Sequence, residues 1–161
     1  MPEMTLLGWF HTILGILAVL SGFYTLYKYR VISYDESSGK LYILVTLLVA
    51  GSALGIYNQG GFGVAHVLAV LTLIALAGGY IMERYKWFGS FSKYFQALGY
   101  TSTLLFHMIP AITDFLRRLP VGDTFIDSFE DPLLLNFHLA FLIIYVVGII
   151  AQIIWLKRQA V

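Results

Sequence analysis

Cysteine is absent from the 161 residues. That excludes disulfides, thiolate metal sites and iron–sulfur clusters, so any bound metal must be held by nitrogen and oxygen. Charge is also scarce: 12% of residues are charged and 59% are hydrophobic, with a mean hydropathy of +0.80. A soluble domain carries about twice that charge, so the composition is that of an integral membrane protein. The net charge of +1 and the lack of a concentrated basic face exclude a nucleic-acid partner. Only four methionines occur, one of them the initiator, and no methionine cluster marks a copper-transport path. HExxH, a recognised nucleophile motif and a carboxylate dyad within the apolar runs are all missing, which leaves hydrolytic chemistry unsupported. Before the first apolar run stands Glu3 and no Lys or Arg. The run therefore lacks the basic region of a cleaved signal peptide and is expected to remain as a helix.

What is present is organised in apolar runs. A hydrocarbon core of roughly 30 Å takes about 20 residues at 1.5 Å rise each, and five runs approach that length, at about 4–27, 41–58, 62–82, 95–116 and 133–156. The expected fold is all-α: a polytopic membrane bundle of five transmembrane helices forming one integral-membrane domain over residues 1–161. Asn58-Gln59-Gly60-Gly61 is a tight-turn signal that makes the second and third helices an antiparallel hairpin. Between the last two helices, apolar and acidic residues alternate from Arg117 to Pro132, a pattern that suits a short amphipathic helix on the surface. The side reached after the first, third and fifth helices carries Lys28, Arg30, Lys40, Arg84, Lys86, Lys93, Lys157 and Arg158. The other side has only Arg117 and Arg118. Eight basic residues against two place the C-terminus in the cytoplasm and the N-terminus outside.

Histidine is missing from every polar stretch. His11, His66, His107 and His138 each lie in a different apolar run, and alternating the direction of the crossings brings all four near the outer face. An ionisable side chain at that depth is costly and marks a functional site by default. On the first helix Gly8, Gly15 and Gly22 recur every seven residues, and His11 shares their face. Such a stripe serves close helix packing or makes room for a flat macrocycle. His66 has Gly63, Ala69, Leu73 and Ala77 on its face, where only another helix or a cofactor would satisfy its ring. Gly51 and Gly55 give the second helix a small-residue contact pattern, and that helix is expected to support the site. On the fourth helix Tyr100, Thr103, His107, Pro110 and Asp114 form one polar stripe, with Pro110 disturbing the helix beside His107. Tyr100, Thr103 and Asp114 are the expected neighbours of the site. Asp114 either orients a ligand histidine or relays protons, or pairs with Arg117 or Arg118 at the helix end.

Two imidazoles from facing helices would hold a haem b. One bis-histidine haem, with the other two histidines left for propionates, quinone or protons, crowds the outer half less than two haems. The competing cofactor is bare copper or zinc on four imidazoles, with Asp114 or an outer-loop acid balancing the charge. A third reading, with no cofactor, is a structural or accessory subunit whose histidines hydrogen-bond between helices. The expected partners are the lipid bilayer, a quinone or a redox partner protein, and further subunits of an oligomer or complex.

Phe10-His11, Gly22, Gly39-Lys40-Leu41-Tyr42, Ala50-Gly51-Ser52-Ala53 and His66-Val67-Leu68-Ala69 occur in an order that resembles a bacterial family of predicted membrane proteins of unknown function. The resemblance covers roughly the first half of the chain and implies a bacterial inner-membrane location. In that family a histidine opens the first helix, a glycine closes it and a histidine opens the third. Ser37-Ser38 stands here where the family has a further histidine. The layout is also similar to the small diheme cytochromes b, which place ligands near both faces. Since the inner half here lacks histidine, the analogy implies exchange with a quinone or a periplasmic donor, and no complete transmembrane wire.

Overall fold

The computed structural model describes residues 5–57 and 61–159. Among these the chain forms five α-helices and no strand. Thr5 opens α1 (Leu6–Tyr29) by accepting from the Gly8 amide at 3.1 Å, and Arg30 closes it in the left-handed conformation, φ 68°. The second helix, α2 (Ser37–Ala53), starts four residues ahead of the sequence expectation: Glu36 is extended and its carbonyl accepts from Lys40 N at 2.7 Å. The expected turn at Asn58-Gln59-Gly60 lies outside the described residues. Beyond it run α3 (Val64–Tyr85), a 3₁₀ turn at Gly89–Phe91 and α4 (Ser92–Arg118), which continues unbroken through Pro110. Asp131 caps α5 (Pro132–Arg158) by accepting from Leu133 N at 2.8 Å, and Pro132 at the first position costs no backbone bond.

Three helices, α1, α3 and α5, are long and apolar enough to cross a membrane. The other two expected spans differ for opposite reasons: α2 is apolar but has 17 residues, whereas α4 has 27 but carries polar residues along its length. Much of that polarity is buried. In α4 the side chains of Thr101, Thr103, Tyr100 and His107 face the interior, so the helix reads as polar by composition while presenting an apolar exterior at Phe95, Leu98 and Phe115.

The helices α1 to α4 pack in sequence, with α4 returning to touch α1, and α5 packs chiefly along α4. Their core gathers Ala18, Tyr42, Val45, Val49, Leu76, Tyr100 and Leu104. Glycine permits close approach at specific points. A Cβ on Gly79 would stand 2.7 Å from the Tyr100 ring, and one on Gly22 2.8 Å from Tyr42 and Leu104. A Cβ on Gly15 or Gly51 would meet nothing within 4 Å, so the regular glycine stripe of α1 and the small-residue pattern of α2 are only partly packing devices. The connection from α4 to α5 corrects one expectation, since no helix forms among residues 119–131. Gly122 takes φ 92°, and Ile126 leaves any surface face to bury against Leu116 and Leu134. The pull of that hydrophobic insertion, with Pro120 and Gly122 interrupting the backbone, outweighs the alternating pattern.

Candidate functional site

Two of the four histidines meet. His11 from α1 and His107 from α4 line one cavity of about 60 Å³, open on one side and bounded by Val49, Ala50 and Ala53 of α2, Ala65, Leu68, Ala69 and Thr72 of α3, and Phe106 and Pro110. The cavity is walled largely by small side chains and has room for a few waters.

Hydrogen-bond partners fix what each ring presents. His11 Nδ1 lies 3.1 Å from the Val49 carbonyl and 3.0 Å from Ser52 Oγ. A carbonyl only accepts, so Nδ1 carries the hydrogen and the neutral ring keeps its lone pair on Nε2. Metal-ligating imidazoles are usually anchored in this way through their other nitrogen. His66 is held the other way round. The Gly63 amide donates to His66 Nδ1 at 3.1 Å, which caps α3 and puts the hydrogen on Nε2. That Nε2–H is buried and has no partner among the described residues, with the rings of Tyr57 and Phe62 at 4.7 and 5.0 Å from the imidazole. So held, His66 offers a donor, whereas ligation through Nε2 requires a lone pair there. His107 Nε2 lies 3.1 Å from Thr46 Oγ1. His138 stands apart from the cavity, half-buried, with Nε2 3.2 Å from Thr113 Oγ1.

The polar stripe of α4 continues inward as a buried ladder. Thr103 donates to the Tyr100 carbonyl at 2.7 Å, so its remaining hydrogen bond, with Tyr42, has the tyrosine hydroxyl as donor. Tyr42 also packs edge-on to His107, ring centroids 6.4 Å apart. One step further in, the Tyr100 hydroxyl donates to Glu83 at 2.8 Å, and the other Glu83 oxygen accepts from Ser33 Oγ at 2.5 Å and Tyr34 N at 2.8 Å. The expected neighbours Tyr100 and Thr103 thus belong to the ladder. Asp114 does not. It is 59% exposed and sits 3.7 Å from Arg118 Nε, the helix-end pairing.

Sequence reading missed Thr46, Ser52, Tyr42 and Glu83. The first three were legible in principle as hydroxyls on α2 at spacings that put Tyr42 and Thr46 one turn apart. Glu83 sits in a basic, solvent-side stretch where a carboxylate draws no notice.

Two facing imidazoles are the complete protein complement of a haem b, but a cavity near 60 Å³ is far below the several hundred Å³ that organic ligands occupy. A bare ion has the room, yet no group of three or more His, Asp or Glu is assembled among the described residues, where a structural or catalytic zinc takes three or four protein ligands. No family model matches the chain, and it is similar to none of the known proteins or solved structures with which it was compared.

Proposed function

We propose that this chain is a membrane electron-transfer protein that takes haem b between His11 and His107 and exchanges electrons with a quinone or a partner protein. The observation that carries the reading is the pairing itself: two histidines from helices far apart in sequence line one cavity, and His11 is anchored so that Nε2 faces outward from its hydrogen bond with a lone pair. Ligand number favours haem over a bare ion, and cavity volume favours the ion. Volume changes when side chains such as Phe106 move, whereas a third ligand would have to be brought in from another element, so number is given the greater weight. Small walls at Ala50, Ala53, Ala65 and Ala69 leave the widening to few large groups. When bound, haem supplies one-electron chemistry. The residues themselves supply the rest: Val49 and Ser52 orient His11, Thr46 holds His107 through Nε2 and so leaves Nδ1 as the nitrogen that would ligate, Tyr42 packs edge-on to the His107 ring, and His66 holds an N–H ready for an acceptor oxygen such as a propionate or a quinone carbonyl.

This reading includes five crossings with the N-terminus outside, α2 and α4 spanning as partners of α1 and α3, in a bacterial inner membrane. The eight-to-two distribution of basic residues supports the orientation. The second reading, a copper or zinc centre at the same two histidines, is favoured by the size of the cavity alone.

Titration of the cofactor-free protein in detergent separates the two. With haemin, a Soret band saturating at one equivalent is expected, lost in His11→Ala and in His107→Ala and retained in His138→Ala. Saturable copper or zinc binding that depends on His11 and His107, with no haem band, moves the assignment to the bare metal. If neither titration depends on these residues, both readings fail.

A further inference from the structure

Where α1 and α5 end beside each other, at the opposite end of the bundle from the histidine cavity, the surface holds a broad, open pocket of about 520 Å³. Lys28, Tyr29 and Arg30 from the end of α1, Ser33 from the connection and Trp155 from the last turns of α5 line it. Its shape follows from how the chain leaves α1. Arg30 in the left-handed conformation turns the backbone aside, and its carbonyl accepts from the Gln152 amide of α5 at 2.9 Å. Gln152 is buried, and its own oxygen accepts from Thr101 at 3.0 Å. Two residues on, the Ile32 carbonyl accepts from Gln96 at 3.1 Å, and Glu83 holds Ser33 and Tyr34. The wall of the pocket is therefore anchored by α3, α4 and α5, so its two cations project from a fixed backbone.

Those cations are free of carboxylate partners. Among the described residues neither Lys28 nor Arg30 forms an ion pair, and Lys28 Nζ rests 4.9 Å above the Tyr29 ring. Glu36 is the one acid in the lining, and it caps α2 through its backbone only, with no side-chain hydrogen bond to the first turn. The open amides of that turn add partial positive charge near Glu36. A pocket of this size with two unpaired cations and two aromatic rings suits a phosphate ester. The level of the pocket decides its source. Both α1 and α5 are long and apolar enough to cross a membrane, so their shared end lies where the hydrocarbon gives way to headgroups, the depth at which Trp and Tyr collect.

We propose that this pocket binds the phosphate headgroup of an anionic phospholipid, with Lys28 and Arg30 as its ligands and Trp155 and Tyr29 against the glycerol and upper acyl region. Basic pockets between membrane helices are known to select such headgroups, each cation adding to the attraction. The proposal stands independently of any cofactor at His11 and His107.

The test is native mass spectrometry of the full chain in detergent, titrated with phosphatidylglycerol, with phosphatidylcholine and with inorganic phosphate. One phosphatidylglycerol should be retained at concentrations where phosphatidylcholine is not. In the double variant Lys28→Gln/Arg30→Gln its affinity should fall by about 10–30-fold, while Arg117→Gln at the far end leaves it unchanged. Glu36→Gln removes the only opposing charge and should tighten binding by a few-fold. All of these side chains lie outside the core, and an unchanged thermal midpoint confirms that the variants remain folded. Equal retention of the two lipids, or wild-type affinity in the double variant, overturns the proposal. Displacement of the lipid by millimolar inorganic phosphate overturns it as a lipid site and makes the pocket one for a free anion.

Discussion

At the scale of single residues, the histidines are told apart by what holds their rings. His11 is anchored by a carbonyl, His66 by an amide, and His107 and His138 by threonine hydroxyls. The sequence shows four imidazoles in four separate apolar runs; only the partners separate a lone pair from a donor. That difference was not legible because the partners come from backbone groups and from threonines on other helices, which no spacing within one helix reveals. Thr46 is wholly buried against His107. Thr46→Val should therefore leave a buried ring nitrogen unsatisfied and cost about 1–3 kcal/mol, read as a lowered thermal midpoint in detergent. An unchanged midpoint would mean that the ring finds another partner. Thr113→Val, beside the half-buried His138, should cost less because water can replace the lost bond.

Helices came through the sequence well, and their contacts did not. Apolar runs and end signals located all five elements, with the largest shifts at the two ends of α2: it stops at Ala53, five residues short of the apolar run, and starts four residues early, where Ser37 and Ser38 look like loop but form the first turn once Glu36 is extended. The regular glycine pattern of α1 drew attention that belongs equally to Gly79 and Gly99, because close approach depends on what stands opposite. Gly79 lies under the Tyr100 ring, and a Cβ on Gly99 would come within 2.8 Å of the Ala75 carbonyl. Gly79→Val should overpack the contact of α3 with α4 and cost about 1–3 kcal/mol, also misplacing the Tyr100 hydroxyl from Glu83. Gly15→Ala meets open space and should leave the thermal midpoint the same or slightly higher, since alanine favours a helix by roughly 1 kcal/mol over glycine. Equal losses from the two substitutions would contradict this assignment of the helix contacts.

For the whole molecule, an interior ladder of hydroxyls and one carboxylate leads from the histidine cavity toward the end where α1 and α5 finish, inside a bundle whose outside is apolar. Composition announced the outside and concealed the ladder, because Tyr42 and Tyr100 count as hydrophobic and threonines are common in membrane helices. Topology is directly accessible to labelling, since the chain has no native cysteine. In intact cells an impermeant maleimide should label Val121→Cys, which is 90% exposed between α4 and α5, and should reach Gln159→Cys only after lysis. The reverse pattern would invert the orientation and place the histidine cavity toward the cytoplasm. The pairing of His11 with His107 is tested most directly by the reduced-minus-oxidised visible spectrum of the full chain purified from a haem-replete host, with iron, copper and zinc measured on the same sample. Sharp b-type bands with iron in proportion are expected, absent from His11→Ala and His107→Ala and present in His138→Ala. A spectrum unaffected by either of the first two substitutions, or a featureless one with no iron from that host, would contradict it.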